Sequence, residues 1–154
     1  MGLGELAWLV RFLGLSVEEL LDPNSFDSRL RVQKAVFFLK HLGVKPFTEY
    51  EFNMYLRGPY SPALAQDYYR LRGVEPTSVD LGDRADLLRW FMAHRSDWLE
   101  VCTSILSIRE RYPKIGDEET YELITFSKPW VERSFFEDVI KELKAKGLRS
   151  ATHG

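Results

Sequence analysis

A single cysteine, Cys102, is all the thiol this 154-residue chain carries. That excludes an internal disulfide and any zinc knuckle built on cysteines. Flanked by Leu99, Ile105 and Leu106, it reads as a small buried apolar residue rather than a nucleophile. Histidine is almost as scarce. His41, His94 and His153 stand far apart, and none falls in an H-x-x-x-H or H-E-x-x-H pattern, so no metal site is expected. Gly2-Leu3-Gly4 lacks the preceding strand and the third glycine of a dinucleotide loop. No G-x-S-x-G elbow and no G-x-x-x-x-G-K-[ST] loop occurs. No apolar run approaches the ~20 residues of a membrane span. Charge of one sign is missing as well: the formal net charge is −2, so no global field draws the chain to nucleic acid or anionic lipid.

What is present is a globular composition: 45% hydrophobic, 14% aromatic and 29% charged. The length fits one domain over residues 1–154, with 148–154 as a frayed tail. Met1 to Leu15 carries Glu5 and Arg11 and has no basic leader, so it reads as a helix rather than a signal peptide. The expected compartment is the cytosol. The expected fold is mainly α with a small β element (α+β). It is a multi-helix single domain, for which a winged-helix-like core is one candidate.

Leu3–Leu13 has the spacing of a first helix, through Leu6, Val10 and Leu13. Ser16-Val17-Glu18-Glu19 is a capping box that opens a short helix closed by Pro23. Ser28–Leu42 is the strongest helix signal, ending at Gly43. Val32, Ala35, Val36, Leu39 and Leu42 form one stripe, while Leu30 and Phe37 project almost opposite. A helix apolar on two faces is a central helix. Tyr50–Arg57 alternates with period two, as a half-buried strand does, and Gly58-Pro59 breaks it. Its expected partner is Val79–Leu81. Ser61 then caps a helix with Pro62 at its first position, running to about Arg72. Asp83–Ala93 and Asp97–Arg111 form one helix or two, with Ser96 or Asp97 as cap of the second. Asp117 caps a helix through about Phe126, and Ser134–Glu137 is a capping box for the last helix, ending at Gly147. The acidic groups at 83–86 and 117–119 open helices, where the macrodipole favours them, so capping explains them without catalysis. Trp8, Trp90, Trp98 and Trp130 need cover, which a monomer or a homodimer would give.

The net charge hides a division. Residues 1–27 sum to −4, residues 28–73 to +5 and residues 74–154 to −3. On a helical wheel Arg31, Lys34, Phe38 and His41 share a flank of the central helix. That flank is a candidate to face a phosphate backbone or an acidic partner; snorkelling or internal pairing is the plainer account. In the stretch Tyr55 to Pro62, local geometry accounts for Gly58, Pro59, Ser61 and Pro62. It does not require Tyr55, Arg57 or Tyr60, which are residue types that make contacts.

Two stretches carry a resemblance. Arg31-Val32-Gln33-Lys34-Ala35-Val36-Phe37-Phe38-Leu39 resembles the "K-L-Q-K-hydrophobic" helix of the YwgA-like family of prokaryotic proteins. Phe52-x-x-Tyr55-x-x-Gly58-Pro59-Tyr60-Ser61-x-x-Leu64-x-x-Asp67 resembles that family's "F-x-x-Y-x-x-GPYS-x-x-L-x-x-D" block. The related Panacea domain of SocA-like antitoxins has a similar layout with a GPV-type turn. Phe126-Ser127-Lys128-Pro129-Trp130 also fits the family pattern. The resemblance covers about Leu30–Leu71. It implies a mainly helical domain with a small β element and brings no catalytic residue; the Panacea relatives imply antitoxin or adaptor activity through protein contact, and no cofactor is expected. The partner-binding candidates are Arg31, Gln33, Lys34, Tyr55, Arg57, Gly58, Pro59, Tyr60, Ser61 and Asp67. The expected function is a non-catalytic interaction or regulatory module. A winged-helix-like nucleic-acid-binding protein, using the basic segment 28–73, is the alternative. An enzyme would need a pocket assembled from distant residues, with strongly shifted pKa values.

Overall fold

In the computed structural model, which describes residues 2–148, the long helix α3 (Phe26–His41) sits at the middle of everything else. Every residue from Val32 to Leu39 is buried. A helix surrounded in this way must have neighbours on all sides. After α1 (Leu3–Phe12) they are supplied by α2 (Val17–Leu21) before it, and by a hairpin of β1 (Asn53–Tyr55) and β2 (Gly58–Tyr60) after it. Then come α4 (Pro62–Tyr68), α5 (Arg84–Met92), α6 (Ser96–Arg111), α7 (Asp117–Ser127) and α8 (Arg133–Ala145). The architecture is mainly α with one small antiparallel sheet. α3 packs on α6, α5, α2 and β2, and α6 in turn packs on β2, α7 and α8. One continuous apolar cluster runs from Leu6 through these helices to Leu143.

Local signals set several boundaries. The Ser16 hydroxyl accepts from the Glu19 N–H at 3.0 Å, and the Ser61 hydroxyl from the Leu64 N–H at 3.2 Å, with Pro62 opening α4. Gly43, at φ +78°, lets the chain leave α3 in the left-handed conformation.

The strand differs from its sequence expectation. Only Asn53–Tyr55 is extended and paired, and all three residues are exposed. Gly58-Pro59 does not break the sheet; it begins the partner strand, in register Asn53↔Tyr60, Met54↔Pro59 and Tyr55↔Gly58. Leu56 and Arg57 make the turn, and Gly58 at φ +92° supplies the left-handed residue that closes such a hairpin. Pro59 has no N–H to give, so its pair with Met54 is the non-hydrogen-bonded kind, and the flanking pairs carry the ladder. Val79–Leu81 forms no strand.

Helix starts also move. α3 begins at Phe26 rather than Ser28, and Asp27 accepts from the Ser96 hydroxyl. α4 stops at Tyr68, short of Arg72, in a turn closed by the Arg70 N–H on the Asp67 carbonyl at 3.0 Å. The stretch 83–111 is two helices, and Arg95, not Ser96 or Asp97, holds the cap position. Gly116 rather than Asp117 precedes α7, because Asp117 turns instead to the Arg109 guanidinium at 3.0 Å. Ser134 lies inside α8, which opens at Arg133 with Glu132 before it. Of the expected frayed tail, residues 149–154 lie outside those described. Trp98 is buried and Trp130 half exposed. No helix among the described residues is long and apolar enough to cross a membrane.

Candidate functional site

The two family-like stretches meet in space, because α3 lies against the inner side of the hairpin. Gln33 uses both ends of its amide on one backbone unit: its Nε2 donates to the Ser61 carbonyl at 3.0 Å, and its Oε1 accepts from the Ser61 N–H at 2.9 Å. Lys34 is the next residue along α3. The Lys34 ammonium, on a side chain only 2% exposed, donates to the carbonyls of Arg57 at 2.7 Å and Pro59 at 2.9 Å. From the far side Lys128 donates to the Leu56 carbonyl at 3.1 Å. Three consecutive-region carbonyls of the hairpin are therefore held by two buried lysines. Unmet, each such carbonyl would cost about 1–3 kcal/mol.

The charges converge on one anion. Glu100 of α6, also 2% exposed, accepts from Arg57 Nε at 2.7 Å and lies 3.8 Å from Lys128. Three cations thus share one carboxylate. Burial pushes the Lys34 amine down to about 7; Glu100 pulls it up, and Lys128 and Arg57 push it further down. Lys128 is lowered too, first by burial, against the pull of Glu100. Gly58 sits inside this cluster. A Cβ there would stand 3.0 Å from Lys34 Nζ and 3.0 Å from Ser104 Oγ, a tight fit that would press on both, and φ +92° disfavours any side chain outright.

The flank Arg31, Lys34, Phe38 and His41 does not face outward. Arg31 donates to the carbonyls of Met92 and His94 and to the Ser96 hydroxyl, closing the carboxyl end of α5. Phe38 is fully buried against Phe91, rings stacked 4.1 Å apart, and His41 Nδ1 meets Glu110 at 2.6 Å. Tertiary packing turned the row inward and divided it: Arg31 and Phe38 meet α5, Lys34 the hairpin and His41 α6. Arg29 and Lys40 of the basic segment also donate to backbone carbonyls, and Arg70 and Arg72 form exposed ion pairs with Asp67 and Glu18. With Arg31, Lys34 and Arg57, that is seven of the eight bases between residues 28 and 73.

Asp67 accepts from the Tyr50 hydroxyl at 2.6 Å, tying α4 to the segment before the hairpin. Burial and that hydrogen bond push the Tyr50 phenol up. Of the ten candidates, Gln33, Lys34, Gly58, Pro59 and Ser61 are buried, Arg31, Tyr60 and Asp67 are half-buried, and Tyr55 and Arg57 are exposed. The Tyr55 and Tyr60 rings meet edge to face at 5.4 Å. Arg57 lies over the Phe26 ring at 5.2 Å. Beside this turn a concave cavity of about 350 Å³ opens between α3, the hairpin and α4.

Glu100, Lys128, Phe26 and Tyr69 escaped the sequence reading. Glu100 had a signal: one carboxylate in the otherwise apolar run Trp98–Cys102. Lys128 stood in the stretch 126–130, quoted above for the resemblance. Cys102 is fully buried and its thiol pushed well up by that burial. Among the described residues no group of three or more histidine, cysteine or acidic side chains is arranged to hold a metal. No protein-family model, curated protein or solved structure matches the chain.

Proposed function

We propose that the protein is a non-catalytic interaction module, antitoxin-like or regulatory in kind, acting in the cytosol through the outer face of its hairpin. One observation carries this reading. The hairpin's inner side is fixed by buried side chains, while its outer side presents Tyr55, Leu56 and Arg57 to solvent, Leu56 being 77% exposed. A short turn held from behind and armed with aromatic, aliphatic and guanidinium groups is what a contact surface requires. The resemblance of Leu30–Leu71 to the YwgA-like and Panacea families supports an antitoxin or adaptor role. The cavity at Gly58 is walled mainly by apolar and aromatic groups, and the one amine of shifted pKa in it is engaged by two carbonyls, which favours binding over chemistry.

The nucleic-acid alternative rested on the basic segment. Arg29, Arg31, Lys34 and Lys40 are spent on backbone carbonyls, and the exposed Arg57, Arg70 and Arg72 each pair with a carboxylate of the chain, which disfavours a continuous basic row for a duplex. The test is a tagged pull-down from the native host with the wild-type chain and with Arg57→Ala and Tyr60→Ala. Wild type is expected to retain a protein partner that both variants lose. A partner held equally by all three chains removes this face from the function. A gel shift on random duplex DNA and RNA at ~50 mM salt is expected to show no complex; a complex that dissociates as salt rises would reinstate the alternative.

A further inference from the structure

We propose that the cavity beside the hairpin seats an apolar or aromatic side chain of the partner protein, with a neighbouring carboxylate of the same segment paired to Arg57. This rests on the interaction-module reading and names the chemistry the partner must carry. The cavity, about 350 Å³, is the size of one aromatic side chain with its flanking backbone, at the lower end of ligand-sized clefts. Its walls are Phe26, Tyr55, Tyr60, Tyr68 and Tyr69, and Phe26, Tyr55 and Tyr69 leave about half their area exposed at the rim. Rigid aromatic rings around a concave pocket favour an apolar anchor.

The charge at the cavity has one sign. Arg29, Lys34 and Arg57 line it, and no aspartate or glutamate does. Arg29 is engaged by the carbonyls of Leu20 and Asp22, and Lys34 by those of Arg57 and Pro59. Arg57 is different. Among the described residues it gives only Nε to Glu100, and its side chain is 54% exposed. Its two terminal nitrogens are left to face a carboxylate in the fork geometry that suits guanidinium. Beneath it Glu100 is the single anion for Lys34, Lys128 and Arg57, so a second carboxylate improves the local balance. A basic segment would meet Arg29 and Arg57 on the cavity wall with no acidic side chain there to receive it, and be repelled.

The experiment titrates capped tetrapeptides into the full chain and follows the backbone amides by NMR. The peptides are leucine–phenylalanine–aspartate–leucine and its forms with asparagine or lysine for aspartate, or alanine for phenylalanine. The aspartate peptide is expected to shift the amides of residues 26, 55–60 and 69. Its affinity should fall about tenfold with asparagine and further with lysine, the loss expected for one charge-assisted pair. Alanine in place of phenylalanine should abolish the shifts. Arg57→Gln should erase the preference for aspartate while keeping that for phenylalanine. Tyr69→Ala, which leaves the ion network untouched, should weaken all the peptides. Equal binding of the aspartate and lysine peptides, shifts confined to another face, or no binding at millimolar peptide overturns the proposal. Phenylacetate binding as tightly as the peptide also overturns it, in favour of a small ligand. A wild-type pull-down without any partner sinks the interaction-module reading instead, which the peptide titration does not measure.

Discussion

The two sides of α3 are secured by opposite means. Toward α5 the contact is apolar: Phe38 stacks on Phe91 with rings 1° from parallel, and only the rim, at Arg31, is polar. Toward the hairpin the contact is a set of directional bonds from Gln33 and Lys34 to backbone groups. Apolar area is tolerant of small shifts, and it supplies most of the stability. Hydrogen bonds to buried carbonyls add little net energy but permit one arrangement, because any other leaves buried groups unmet. The α5 side therefore holds the fold together, and the hairpin side fixes the position of the surface assigned to binding.

Breaking the apolar side should cost most. Phe38→Ala is expected to destabilise the chain by about 3–5 kcal/mol, read as a lower urea midpoint at unchanged m-value. Glu100→Gln should come next, at about 3 kcal/mol, since it strips the one anion from three cations. Lys34→Met should cost less, about 1–3 kcal/mol, because the penalty of leaving the Arg57 and Pro59 carbonyls unmet is offset in part by removing an amine that burial disfavours. A Lys34→Met loss as large as that of Phe38→Ala would break the contrast between the two sides.

Titration sharpens it further. With the folded Lys34 lowered to about 7 from an ordinary 10.5, the unfolded chain holds one more proton above pH 7. Stability should therefore rise from pH 7 to 8.5, by at most ~1.4 kcal/mol per pH unit from this group, with Lys128 acting in the same direction. The raised Cys102 thiol opposes this only at higher pH, as the unfolded thiol ionises. Urea melts across that window should show the slope in wild type and a smaller one in Lys34→Met; a flat wild-type profile would place the buried lysine charged throughout. Smallest of all, Ser61→Ala should cost about 1 kcal/mol by removing the cap of α4.

Much of the fold was legible. The Ser16 and Ser61-Pro62 caps, the Gly43 stop and the two-faced pattern of Ser28–Leu42 all act over three or four residues, and all appear in the structure. The hairpin was misread because period-two alternation from Tyr50 to Arg57 looks the same in a half-buried strand as in an exposed turn. A Gly-Pro pair, too, can open a strand where no N–H is needed. The candidate site was legible in part. Gln33, Lys34 and the Tyr55–Ser61 stretch were named, but their burial was not, and a basic row on a wheel carries no mark of facing inward.

By itself the sequence determined where most of the helices lie and that α3 must be central, since capping, glycine stops and apolar periodicity are short-range and written in neighbouring residues. Tertiary structure alone decided which charges became interior. Arg57 finds Glu100 across 43 positions, and Lys128 finds the Leu56 carbonyl across 72. Such partners become adjacent only when the helices have packed, and only then does the desolvation that shifts Lys34 exist at all.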